Sequence, residues 1–312
     1  MNQGSTCPAC GTAGGIVLEV IQRDHLNQIY ANDFGIDVKA TVTEDVSLID
    51  CERCGVKFFW PQFVAQEDFY AKLQSHSWYY IKDKFEFHFA KRFISGGAKV
   101  LEIGAGEGHF AAHIPQAKYL GLEYSSGAIE LAAKSGVTLL KQSAEEVAER
   151  EGASFDVVVA FQVLEHVADV GSFLDAVVRS VLPGGLLIIS VPAEDSFMGM
   201  EVNNVLNMPP HHQTRWTDDA LRRLATRLGL TLIEMAHEQL TDQYIGPFAA
   251  ALAMKGTQLK LGRADVSIDL RFRGFVLRAL CSPLKAGLRM AVKSRSWRPN
   301  GHTVCVSFRK PL

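Results

Sequence analysis

Residues 99 to 110 read KVLEIGAGEGHF, a short apolar run that empties into three glycines at alternate positions, Gly104, Gly106 and Gly108. A strand followed by such a turn lets the backbone approach a ligand closely, because glycine adopts left-handed conformations without steric cost. Working outward, apolar runs alternate with helical stretches. The strand-like runs are KVLEI, KYLGLEY, VTLLKQ, FDVVVAF and LLIISVP; the helical ones include SGAIELAAKSG and VGSFLDAVVRSVLPGG. Apolar strands, each followed by a crossover helix, predict an α/β fold with a doubly wound parallel sheet. Ligands of such sheets sit at the carboxyl ends of the strands, where the glycine turn also lies.

The spacing narrows the ligand. A dinucleotide fingerprint is G-x-G-x-x-G, whereas here His109 occupies the position of the last glycine, and the Gly-Lys-Ser/Thr ending of a phosphate loop is absent. Glu102 precedes the turn, where a carboxylate opposes a pyrophosphate and favours a ligand bearing a cation. S-adenosylmethionine carries an amine and a sulfonium. The next strand ends in LGLEYS, which puts Glu123 where an acidic side chain accepts hydrogen bonds from ribose hydroxyls. That second feature is common to several nucleotide cofactors.

Four of the six cysteines form two tight pairs, Cys7 with Cys10 in CPACG and Cys51 with Cys54 in CERCG. Two thiolates two residues apart grip one metal from a turn, and two such knuckles make a tetrahedral four-cysteine site. Paired disulfides or a lone redox dithiol do not account for duplicated knuckles in a chain whose first residues lack a secretion signal. The expectation is structural Zn2+ in a ribbon over residues 1–65, with the segment between the knuckles supplying its strands. Cys281 and Cys305 stand alone and read as packing residues. The inter-knuckle segment holds Asp24, Asp33, Asp37, Glu44 and Asp45 against Arg23 and Lys39, so it would repel a phosphate backbone and no nucleic-acid partner is expected.

These motifs together resemble the class I S-adenosylmethionine-dependent methyltransferases, from Trp78 to the end of the chain. LEIGAGEGHF is similar to their glycine motif, GLEYSSGAIELAA to the ribose motif, FDVVVAFQVLEHVADV to the fourth strand and its loop, and LPGGLLIISVP to the fifth strand. The resemblance implies a Rossmann-like sheet and places Glu102, Gly104, Ala105, Gly106 and Gly108 around the methionine part of S-adenosylmethionine. It places Glu123 and Tyr124 at the ribose and adenine edge, and Gln162 beside the methionine part. Where the family often has Asp-Ala for the adenine, this chain has Ser143 and Ala144. The N-terminal zinc ribbon resembles a bacterial type associated with sugar and surface-glycan biosynthesis. That likeness is partial, and it implies O- or C-methylation of a small or lipid-linked glycan-type acceptor. Two alternatives stand beside it: a zinc-bearing rRNA base methyltransferase, and a non-catalytic scaffold that keeps the cofactor fold.

The remaining segments take their roles from pattern. With 312 residues, 47% of them hydrophobic, and a net charge of -2, the chain predicts a large core with an accessory module, cytoplasmic and without a global field for polyanions. Residues 66–95 read as a helical, aromatic arm with Phe85, Phe89 and Phe93 on one face, and with Trp78, Tyr79 and Tyr80 as packing or cofactor-covering residues. The core then covers 96–240 and 301–312, with TLIEMAHEQL as sixth strand and HTVCVSFRK as seventh. Between them lies a basic insertion, 241–300. Its 268–298 portion puts Phe272, Phe275, Val276, Ala279 and Leu280 on one face beside Arg273 and Arg278, with Pro283 breaking or kinking the helix. That pattern fits either a helix over the acceptor pocket or a peripheral membrane contact. The candidate acid–base residues are His211 and His212, in NMPPHHQTRW, and His166, in VLEHVAD. For the first pair the alternative is a loop-fixing role beside the Thr217-capped helix, and for His166 a structural or cofactor-side role.

Overall fold

The computed structural model describes residues 4–74, 76, 79, 81–260, 266–270, 275–292 and 298–312. Seven strands form one sheet: β4 (Lys99–Ile103), β5 (Lys118–Leu122), β6 (Leu139–Leu140), β7 (Phe155–Phe161), β8 (Val181–Pro192), β10 (Thr231–Gln239) and β11 (Asn300–Arg309). Their order is β10-β11-β8-β7-β4-β5-β6. β4, β5, β6, β7 and β8 pair in parallel, and β11 runs antiparallel between β8 and β10. Val100, Leu101, Val158, Val159, Ile188 and Ile189 are fully buried, as strands covered on both faces require. Helices α4 (Ser126–Lys134), α5 (Ala144–Glu151), α6 (Val170–Ser180) and α7 (Asp218–Leu228) connect the strands. Thr217 caps α7 as expected, its hydroxyl accepting from the Ala220 amide at 3.1 Å.

A second sheet, β1 (Ile16–Ile21), β2 (Val46–Asp50), β3 (Lys57–Trp60) and β9 (Thr214–Arg215), belongs to the cysteine module. The segment between the knuckles supplies β1 and β2 and also a helix, α1 (Arg23–Phe34), so it is more than a ribbon. The fourth strand comes from the core: β9 pairs antiparallel with β3 through Lys57–Arg215 and Phe58–Thr214. Cys7, Cys51, Cys54, Val56 and Phe58 share one hydrophobic cluster with Trp216, Ala220 and the sheet strands. The Pro8 carbonyl accepts from the Gly171 amide at the start of α6. Module and core are therefore one packed body.

The 66–95 arm holds two short helices, α2 (Glu67–Gln74) and α3 (Phe85–Lys91). Phe85, Phe89 and Phe93 belong to one hydrophobic cluster, and Phe87, off that stripe, joins it against Phe110 and Phe161. Of the aromatic trio, Tyr79 packs on the module's cluster, and Trp78 and Tyr80 lie outside the described residues. Pro283 does not end its helix, since α9 (Phe275–Ala291) runs through it. α9 packs on α8 (Ile245–Lys260), and the insertion closes over Phe197, Met198 and Leu240 through Ile245 and Val292. Phe272 and Arg273 lie outside the described residues, as do the side chains of Phe275, Val276, Arg278, Ala279 and Leu280, so the expected apolar face lies outside what the structure describes. Among the described residues no helix is long and apolar enough to cross a membrane.

Candidate active site

The carboxyl end of β4 opens into the glycine turn. Gly104, Gly106 and Gly108 all have positive φ (70°, 55° and 72°). At Gly104 a Cβ would lie 2.4 Å from Val163 Cγ2, so the turn is pressed against the loop after β7. Instead of a regular helix, a short 3-10 turn, His109–His113, follows. Glu123, at the end of β5, ties the turn down: one carboxylate oxygen accepts from the Gly106 amide, the other from the Tyr124 and Ser125 amides, each at 2.8 Å.

Glu102 is almost wholly buried and accepts from the Tyr119 hydroxyl at 2.5 Å. Burial pushes its carboxyl up to about 8, against the Tyr119 hydrogen bond and the Lys84 ammonium, which favour ionisation. A cationic ligand beside it would reverse that shift. Ala105 is buried under the turn, and its amide donates to the Leu122 carbonyl. Tyr124 is exposed, with the Ser143 hydroxyl acting on its phenol by hydrogen bonding. Ser143 also caps α5 in a reciprocal capping box with Glu146, and Ala144 is buried at that helix start. Gln162 follows β7 at φ 55°, a left-handed conformation for a residue with a Cβ. Such backbone strain concentrates at functional sites.

The residues after Gln162 meet the loop after β8. Leu164–His166 form a single 3-10 turn, and the Gln213 amide donates to the Glu165 carbonyl at 2.7 Å. His166, His211 and His212 converge: ring centroids lie 4.5 Å apart for His166–His211, 4.7 Å for His166–His212 and 4.6 Å for the stacked His211–His212 pair. Each ring's Nδ1 faces an oxygen: His166 the His211 carbonyl at 2.7 Å, His211 the Leu206 carbonyl at 2.8 Å, His212 the Asn207 side-chain oxygen at 3.1 Å. The two carbonyls can only accept, so Nδ1 of His166 and His211 carries the proton and Nε2 the lone pair. Burial holds the rings neutral: His166 is pushed down to about 4, His211 to about 3, and His212 falls well below the usual range.

Sequence reasoning passed over Glu165. It is 1% exposed, neither carboxylate oxygen has a hydrogen-bond partner among the described residues, and one lies 3.9 Å from His166 Nε2. Burial raises it to about 8, with Glu86 adding to the shift and Lys84 opposing it. The legible signal was an acid inside the apolar run VLEHV.

The cysteine module braces this corner. The Tyr30 hydroxyl donates to the Val205 carbonyl at 2.6 Å, the Gln213 amide nitrogen to the Phe63 carbonyl at 2.8 Å, and the Gln62 side chain to the Ala168 carbonyl at 3.0 Å. Within the module, Cys7 and Cys54 sulfurs lie 3.6 Å apart, and Cys10 and Cys51 sulfurs 3.5 Å apart. All four fall within 4.8 Å of one another. A tetrahedron of sulfurs about 2.3 Å from zinc has edges of about 3.8 Å, so the residues fit the ion.

The methyltransferase domain family model matches residues 70–235, just over half of the chain. The chain belongs to that family. It carries an S-adenosylmethionine-dependent methyltransferase domain on the expected Rossmann-like sheet. Among its relatives is a ubiquinone biosynthesis O-methyltransferase of Cupriavidus pinatubonensis, 32% identical over 157 residues, which are 45% of this chain and 62% of that protein. Another of the same name, from Azorhizobium caulinodans, is 37% identical over 102 residues, 30% of this chain and 40% of that protein. The match thus spans roughly half of these relatives. A solved S-adenosylmethionine-dependent methyltransferase from Archaeoglobus fulgidus shares the fold at a TM-score of 0.51 and 15% identity, over 77% of this chain and all (100%) of that one. The methyltransferase motifs recognised in the sequence lie in this domain; the cysteine knuckles and the 241–300 insertion lie outside the matched span.

Proposed function

We propose that the protein transfers the methyl group of S-adenosylmethionine to a hydroxyl oxygen of a small-molecule acceptor held beside Glu165 and the three histidines. The observation that carries this reading is the buried Glu165 carboxylate, unpartnered among the described residues, three positions past the strained Gln162 and beside the histidine cluster. S-adenosylmethionine supplies an electrophilic methyl on a sulfonium. Glu102 and the glycine turn would hold its methionine part, Gln162 would lie beside it, and Glu123 with Tyr124, Ser143 and Ala144 would take the ribose and adenine. In the transfer, the acceptor oxygen's lone pair forms the new C–O bond, the C–S bond breaks with its electron pair going to sulfur, and the hydroxyl proton leaves for Glu165.

Glu165, near 8, suits that proton better than the histidines, because a base at 3 or 4 drives proton transfer poorly at neutral pH. This shifts the acid–base role from His211 and His212, and from His166, to their neighbour. The names of the relatives favour oxygen as the acceptor atom. They lend no support to a glycan acceptor, whether small or lipid-linked, and the acidic ribbon disfavours rRNA. The test is Glu165→Gln assayed with labelled S-adenosylmethionine against phenol, sugar and lipid hydroxyl acceptors. A fall in kcat of roughly 10²–10⁴-fold with unchanged cofactor affinity supports the reading. Undiminished turnover refutes it.

A further inference from the structure

We propose that His166, His211 and His212 bind a divalent first-row transition metal whose open position takes the acceptor oxygen. This rests on the oxygen-directed transfer proposed above. One ring nitrogen from each histidine lies within 4.8 Å of the others. Three imidazole nitrogens about 2.0–2.1 Å from a tetrahedral ion sit some 3.4 Å apart, so the rings must turn and draw together as the ion binds. The tautomers are already those a metal needs. With Nδ1–H of His166 and His211 donated to fixed carbonyls, the free lone pair sits on Nε2, the arrangement that outer-shell acceptors impose on ligating histidines.

Two further observations point to a ligand. His211 Nε2 is buried without a partner among the described residues, an expensive state that a bound cation would relieve. Glu165 supplies a compensating carboxylate 3.9 Å from His166 Nε2. The cationic neighbours do not dominate: the Arg215 guanidinium is spent on the Asn207 carbonyl and lies over the Phe59 ring, and Lys84 is offset by Glu86. His166 is the least buried of the three and gives the entry path. Imidazole ligands favour zinc, iron, cobalt or nickel over magnesium or calcium. The bound ion would lower the acceptor hydroxyl's pKa, and the proton would pass to Glu165 before oxygen attacks the methyl. A second cluster, Asp83, His88 and His113, carries no such inference, since its members are largely exposed and His88 already pairs with Asp83 at 2.6 Å.

The experiment uses the full chain, stripped with chelator, reloaded with Zn2+ and freed of excess ion. Elemental analysis is compared across the unaltered protein, the paired His211→Ala and His212→Ala variant, and His166→Gln, with circular dichroism reporting the fold. The histidine variants should hold about one zinc fewer per chain, or bind it at least tenfold more weakly, while calorimetry shows S-adenosylmethionine binding intact. Loaded with Co2+, the unaltered protein should show visible bands that vanish in the histidine variants while thiolate charge-transfer bands persist. If the paired variant unfolds, the partly exposed His166→Gln carries the comparison. Equal zinc content and identical cobalt spectra in folded His166→Gln and unaltered protein would overturn the metal site and leave the methyltransferase reading standing. Loss of S-adenosylmethionine binding by the unaltered protein would instead remove that reading.

Discussion

Gly104→Ala tests the join between the glycine turn and the loop after β7. Two costs follow from the structure. At φ 70° the new side chain must occupy left-handed backbone, about 1–2 kcal/mol. Its Cβ would also stand 2.4 Å from Val163 Cγ2, well inside the ~3.5–4.0 Å of a relaxed carbon contact, and overpacking of this kind costs about 1–3 kcal/mol. Valine has one favoured χ1, so rotating it away trades the clash for a poorer rotamer. The sum is about 2–5 kcal/mol, or a fall in Tm of roughly 5–15 °C for a domain of this size. Thermal unfolding followed by circular dichroism measures the total, and a cycle with Val163→Ala separates its parts. The clash should appear as a coupling of about 1–3 kcal/mol between the two substitutions, leaving the backbone cost in the double variant. S-adenosylmethionine affinity should recover in parallel. Additivity of the two within about 0.5 kcal/mol would refute the packing argument.

The Glu102 carboxyl should make cofactor binding pH-dependent. Below about 8 the free protein carries its proton and the cationic ligand expels it, so affinity weakens as pH falls and the dependence flattens in Glu102→Gln. Calorimetry at pH 6.5 in buffers of different ionisation enthalpy should find about one proton released by the unaltered protein and none by the variant. Cys51→Ser should abolish the zinc binding expected of the module and, because Cys51 shares a hydrophobic cluster with Trp216, also lower the Tm of the core; a melting curve unchanged from that of the zinc-loaded unaltered protein would contradict that coupling. Trp216→Ala should cost about 3–5 kcal/mol in chemical denaturation, since the fully buried indole joins the two sheets and donates to Thr214 at 2.9 Å.

Much of this molecule is local in origin. The alternation of apolar runs and helices names the parallel sheet because a strand buried on both faces must be apolar throughout. The glycine spacing and Glu102 select the cofactor because they are read from a single turn, and the paired cysteines make a metal site expected because two residues of separation fix the bite. The histidines were visible as residue types, yet nothing local tells that positions 166, 211 and 212 meet. That meeting depends on the sheet bringing the loops after β7 and β8 together, and on β9 and Tyr30 holding the second loop against the module. Glu165 was hidden for the same reason: its burial, and hence its raised pKa, is a property of the packed corner. Pro283 shows the converse, a strong local breaker carried within a helix that packs on α8. The sequence by itself determined the fold class and the cofactor chemistry, which rest on contiguous patterns. The tertiary structure alone decided which ionisable groups lose their water and converge, because desolvation is set by neighbours distant in the chain.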